Sequence, residues 1–202
     1  MIGIVLAGGA SSRFGGKPKG LVELAGRPMA LRVADVLAQV CTRVLIEAPP
    51  NAGYEALGLP LLHAAPEHAG KGPLAGLATG LQSADDNGAF APCDMPLLTP
   101  EIYRRLTAKG TIGAYAQTAN GFEPLVAVLN AKILAALTMA LRRPELPRTH
   151  AILDAAGASR LLFTDVAAFA NVNTPGDLER FASAVSPAAD TQQTLHARPP
   201  SL

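Results

Sequence analysis

Apolar residues along this chain keep two rhythms that take turns. In one, aliphatic positions follow each other directly and then stop at glycine, proline or a charged residue. Residues 2–7 (IGIVLA) stop at Gly8-Gly9, and residues 43–48 (RVLIEA) break at Pro49-Pro50-Asn51. Residues 88–96 (GAFAPCDMP) end abruptly at a carboxylate, and residues 111–117 (TIGAYAQ), 123–130 (EPLVAVLN) and 160–165 (RLLFTD) share the pattern. Such runs predict short strands buried on both faces.

The second rhythm spaces apolar residues three or four apart. In residues 27–40 they fall at Leu31, Ala34, Val36, Leu37 and Val40, behind Pro28, which predicts a helix opened by proline. Residues 72–84 enter a helix through Gly72-Pro73, and residues 131–142 form another. Thr99 is a helix cap with Pro100 in the first helical position. Residues 144–157 hold a shorter helix ending at Gly157. Thr174, Pro175 and Asp177 open a last helix, with a carboxylate at its positive end. From residue 186 onward the sequence is polar, proline-containing and aperiodic, which predicts one domain over 1–185 and a disordered tail over 186–202.

Strand and helix in alternation predict an α/β protein: a Rossmann-like, three-layer fold with a mostly parallel central sheet covered on both faces. Ligands of such sheets bind beyond the carboxyl ends of the strands. The glycine-rich segment after the first strand and Cys93-Asp94 after a later one both fall there.

Composition narrows the function by exclusion. With 202 residues, 49% hydrophobic, 16% charged and a formal net charge of +1, the chain has a globular core but no general field for nucleic acid or a membrane surface. Cys41 and Cys93 form no CxxC pair, so neither a zinc site nor a disulfide framework is expected. The absence of an export signal and of a long apolar run predicts a cytoplasmic protein.

The segment LAGGASSRFGGKPKG, residues 6–20, carries the first chemistry. It fails the Walker pattern, because Pro18 follows Gly16-Lys17 and the required first glycine falls on Ser11. It also fails the GxGxxG spacing of dinucleotide folds. What remains is a tight Gly8-Gly9 turn able to aim backbone N–H groups inward, followed by Arg13, Lys17 and Lys19. Backbone donors beside clustered cations suit a phosphate chain.

Leu6-Ala7-Gly8-Gly9, Arg13, Gly15-Gly16 and Lys19 resemble the nucleotidyltransferase opening LAGGxxxRxGxxK. GPLAGL (72–77), PCDMP (92–96), EPLVAV (123–128) and NVNTPGDL (171–178) follow in order. From about residue 2 to 182 the chain resembles the molybdenum cofactor guanylyltransferases, which join GMP to molybdopterin. The resemblance implies a nucleotidyltransferase fold, GTP and molybdopterin (molybdenum cofactor) as substrates, and Mg²⁺ as cofactor. Leu6, Ala7 and Gly8 would border base and ribose, with Gly72 and Pro73 also on the nucleotide. Gly9 to Gly15, with Ser11 and Ser12 among them, would wrap the triphosphate, and Arg13 would contact the phosphates. Lys19 would reach the α-phosphate and Asp94 would hold the metal, making Arg13, Lys19 and Asp94 the catalytic set. Asn171 and Asn173 would hold the pterin. Transient contact with a molybdenum-insertion protein or acceptor molybdoenzymes is implied as well.

Three positions depart from the pattern. Pro18 precedes the lysine where Asp is common, Glu47 ends the second strand where Asn is usual, and Ala64 or Ala65 stands where an Asp precedes GPLAGL. A carboxylate from Glu47 or Glu67 accepting from the N1–H and amino group of guanine would compensate. The departures keep open transfer from CTP or to another phosphorylated acceptor, and a carrier that binds without turnover. Retention of Arg13, Lys19 and Asp94 argues against the carrier. His63, His68, His150 and His196 form no catalytic set, and an acceptor phosphate is already an anionic nucleophile that needs no general base.

Overall fold

The structure is a computed structural model that describes residues 1–8 and 14–185. The expected tail and the loop residues Gly9, Ser11, Ser12 and Arg13 lie outside the described residues. The consecutive aliphatic runs fold as β1 (Ile2–Leu6), β4 (Arg43–Glu47) and β6 (Asn87–Pro92). Two short strands not expected from the pattern, β2 (Glu23–Leu24) and β3 (Arg27–Pro28), pair antiparallel ahead of α1 (Met29–Ala38). Pro28 therefore ends this small ribbon and caps the helix, which starts at Met29, one position later than expected. Ala25 and Gly26, at φ +48° and +74°, make the turn between the two strands.

Beyond β4 come β5 (Leu61–Leu62) and α2 (Gly72–Gln82), and beyond β6 come α3 (Pro100–Thr107), β7 (Gly113–Thr118) and β8 (Gly121–Asn130). The chain closes with α4 (Leu134–Leu141), α5 (Thr149–Ala155), β9 (Ser159–Leu162) and α6 (Pro175–Ala182). A seven-stranded sheet runs in the order β5-β4-β1-β6-β8-β7-β9. All its pairings are parallel except those of β8, which runs against both β6 and β7. Side chains of β1 alternate between the two cores. Val5 packs with α1 and α3 on one face, while Ile4 and Leu6 pack with α2, α4 and α5 on the other, giving three layers.

The GPLAGL helix shows why it needs small residues. A Cβ on Gly80 would sit 2.5 Å from Phe90 Cε1, and one on Gly76 would sit 2.9 Å from both Leu6 Cδ2 and Glu47 Oε2. Glycine at these two places lets α2 lie close against β1, β4 and β6. Thr99 does stand at the N-cap of α3 with Pro100 behind it, but its side chain makes no cap bond. Thr174 caps α6 fully, in a reciprocal box with Asp177.

Candidate active site

Register fixes the edge on which the site stands. Leu6 pairs with both Glu47 and Pro92, so β1, β4 and β6 end flush. Gly8, Glu47 and the Cys93-Asp94 turn emerge side by side from that carboxyl edge. Cys93 N donates to Leu6 O at 3.0 Å, tying the Asp94 turn back to β1.

Lys19 enters from the glycine-rich segment. Gly15 and Gly16 turn at φ +62° and +84°, and Pro18 O closes a 3₁₀ turn over Lys19–Leu21 through Leu21 N at 2.9 Å. Pro18 therefore has a backbone role: its fixed φ presets the turn that starts at Lys19. Lys17 is exposed. The Lys19 ammonium donates to Asp94 Oδ2 at 2.7 Å and to Asn173 Oδ1 at 2.6 Å. Three residues separated by 75 and 154 positions in sequence thus share one nitrogen.

Asn173 is held from behind by the α6 cap. Asp177 Oδ2 accepts from Asn173 N, Thr174 N and Thr174 Oγ1, each at 2.9 Å. These donors hold the Asp177 carboxyl below the usual carboxylate range, the Asn173 N–H most of all. Val172 N also donates to Asp94 O at 2.8 Å, so the NVNTP segment is bonded directly to the Asp94 turn.

On the far side of Asn173 lies a cleft of about 510 Å³, lined by Thr118, Asn120, Glu123, Asn171, Asn173 and Arg180 among others. The reversal of β8 puts Glu123 there. Phe90 pairs with Ala127, so the start of β8 lies beyond the carboxyl end of β6, toward Asp94. Burial and then the Asp94 charge push the Glu123 carboxyl above its ordinary range. Pro124 falls where the β7–β8 register shifts between Tyr115 and Ala116, a place where the missing N–H costs no regular ladder bond.

Glu47 is the other carboxylate of the edge, and only 7% of it is exposed. Its carboxylate accepts no hydrogen bond among the described residues and sits against Gly8 and Gly76. Burial pushes its carboxyl up, with His63 opposing. Ala64 and Ala65 bring no polar group to this edge, and Glu67 is exposed on a 3₁₀ turn.

The match to a known family covers most of this architecture: residues 3–161 fit the MobA-like NTP transferase domain. The chain belongs to that family. It is 35% identical over 182 residues to a molybdenum cofactor guanylyltransferase of Yersinia pseudotuberculosis, covering 88% of this chain and 92% of the relative. A relative of the same name from Serratia proteamaculans is 36% identical over 185 residues, covering 89% and 92%. Among solved structures, molybdopterin-guanine dinucleotide biosynthesis protein A of Archaeoglobus fulgidus superposes with a TM-score of 0.75 at 22% identity, covering 91% of this chain and 98% of that one. The 2-C-methyl-D-erythritol 4-phosphate cytidylyltransferase of Thermus thermophilus gives 0.64 at 15% identity, covering 90% and 96%. The MobA-like chain is a nucleotidyltransferase of three-layer α/β fold.

Of the residues expected at the site, Leu6, Ala7 and Gly8 stand at the end of β1, and Gly72 and Pro73 open α2. Gly15 turns just ahead of Lys19, and Lys19, Asp94 and Asn173 meet. Asn171 lines the cleft without joining that cluster through a described hydrogen bond. Glu123 is a further carboxylate of the cleft that the sequence reading did not single out, although it stands at the head of the EPLVAV motif.

Proposed function

We propose that this nucleotidyltransferase moves GMP from GTP to the terminal phosphate of molybdopterin, forming the guanine dinucleotide cofactor and pyrophosphate. The observation that carries the reading is the Lys19 ammonium bridging Asp94 and Asn173 between the nucleotide edge and the polar cleft. The relatives named above support the same acceptor. In the reaction, an oxygen of the acceptor phosphate bonds to the α-phosphorus of GTP. The bond from that phosphorus to its bridging oxygen breaks, and pyrophosphate leaves. Both reactants are anions, so positioning and neutralisation of charge do most of the work. Lys19 places a positive charge on the α-phosphate, and Arg13 serves the phosphates of the loop. Asn173 and Asn171 hold the pterin from the α6 side, and Glu123 lines the same space.

Asp94 fits Mg²⁺ as a single hard-oxygen ligand. No group of three or more His, Cys, Asp or Glu side chains suited to a metal occurs among the described residues. One carboxylate with water and substrate phosphates completing the shell is the habit of this ion. When bound, Mg²⁺ supplies further neutralisation of the transferring phosphates.

Glu47 favours guanine over cytosine. A carboxylate accepts, and guanine offers adjacent N1–H and amino donors, whereas cytosine sets acceptors beside its single amino group. No helix among the described residues is long and apolar enough to cross a membrane. We take residues 1–185 to act as one domain in the cytoplasm, handing product to acceptor molybdoenzymes.

Thermal shift with GTP, CTP, ATP and UTP plus Mg²⁺, followed by pyrophosphate release with molybdopterin, tests the reading. GTP at 100 times its dissociation constant stabilises by about 2.7 kcal/mol. Preference for CTP overturns the guanine assignment, and binding without pyrophosphate release overturns transfer in favour of a carrier.

A further inference from the structure

We propose that Tyr54 is a positioning residue for the Lys19–Asp94 site, its buried hydroxyl tying together the three chain segments that carry the site. The proposal rests on the transfer reading above. Tyr54 begins a 3₁₀ turn, Tyr54–Leu57, entered through Gly53 at φ +86°, and only 1% of it is exposed. Its hydroxyl accepts from Gly20 N at 3.2 Å and lies 3.4 Å from Ala7 O, to which it can donate. It also interacts with the Cys93 thiol.

Each of these partners is the chain neighbour of a site residue. Ala7 precedes Gly8 and the phosphate loop, Gly20 follows Lys19, and Cys93 precedes Asp94. Burial pushes the phenol above its ordinary value, so it remains both a donor and an acceptor at working pH. The partner glycine is shaped for it. A Cβ on Gly20 would lie 2.8 Å from the Tyr54 hydroxyl oxygen and 2.9 Å from Cε1. A core tyrosine of the ordinary kind is available for contrast. Tyr103 is equally buried and donates to Phe90 O at 3.1 Å, in the middle of β6 and away from the site.

The contrast between these two tyrosines is the test. Tyr54→Phe and Tyr103→Phe each delete one buried hydroxyl and keep the ring, so both lower Tm. Only Y54F is expected to lower kcat for GTP and molybdopterin, by about 10- to 100-fold, with KM for GTP little changed, as befits a displaced Lys19. Gly20→Ala, which pushes the ring away without removing the hydroxyl, reproduces the loss. In Y54F the Gly20 amide also exchanges with deuterium faster than in Y103F. Wild-type kcat in Y54F, or a kcat loss shared equally by Y103F, overturns the proposal. Absence of pyrophosphate release from the wild-type chain instead removes the transfer reading. Tyr54 is then judged on Mg²⁺–GTP binding and Gly20 exchange, and a Y54F protein matching Y103F in both rejects it.

Discussion

Replacing Thr174 with alanine, beside Asp177→Ala, separates the stability of the α6 cap from the placement of Asn173. Thr174 Oγ1 accepts from Asp177 N at 3.2 Å and donates to Asp177 Oδ2. T174A removes both bonds, but Asp177 Oδ2 keeps the two backbone donors of residues 173 and 174. The Asp177 N–H keeps its bond to Thr174 O at 3.1 Å and lies at an exposed helix start where water can reach it, so the loss is about 1 kcal/mol, within the N-cap range. For a chain of this size that lowers Tm by about 2–4 °C. Asp177→Ala does something different: it frees Asn173 N, and through Asn173 Oδ1 it loosens the Lys19 ammonium. Differential scanning calorimetry reads the first effect, and pyrophosphate release against acceptor concentration reads the second. T174A should lose Tm and keep its acceptor KM within a few fold. D177A should raise that KM further and lower kcat. Equal kinetics for the two variants, or no fall in Tm for T174A, refutes the claim that the cap and Asn173 form one device.

Two other outcomes follow from the packing. Glu47 has a raised folded pKa, so its contribution to stability is fullest below the ordinary glutamate value of about 4.3 and is lost as pH rises through the folded value. In the nucleotide-free chain, Glu47→Gln should therefore match wild type in urea melts near pH 4 and exceed it at pH 7 to 8; a constant gap across that span contradicts the assignment. Gly80→Ala forces a methyl to within 2.5 Å of the Phe90 ring, and overpacking of this kind costs about 1–3 kcal/mol. An unchanged Tm there means that α2 can slide off the sheet freely.

How much of this was legible in the residues depends on the range over which each signal acts. The buried strand of residues 2–7, the proline-led helices and the cap at Thr174 are local, because hydrophobic period, fixed φ and side-chain capping act within a turn or two. The expectation of a phosphate loop over residues 8–19 was local in the same way, resting on glycines and cations close in sequence. The two-residue strands β2, β3 and β5 were not, since a pair of residues carries no period and pairs only when neighbours are already in place.

By itself, then, the sequence determined an α/β alternation, a glycine-rich segment after the first strand and a capped last helix. The tertiary structure decided what these parts face. Reversal of β8 in the sheet order brought Glu123 to Asp94, and packing of α6 beside the Asp94 turn brought Asn173 to Lys19 across 154 positions. Glu47 became a buried carboxylate without a described hydrogen-bond donor only because Gly8 and Gly76 close over it. Such contacts depend on the summed burial of the whole sheet and its helices. No short window of sequence contains that sum.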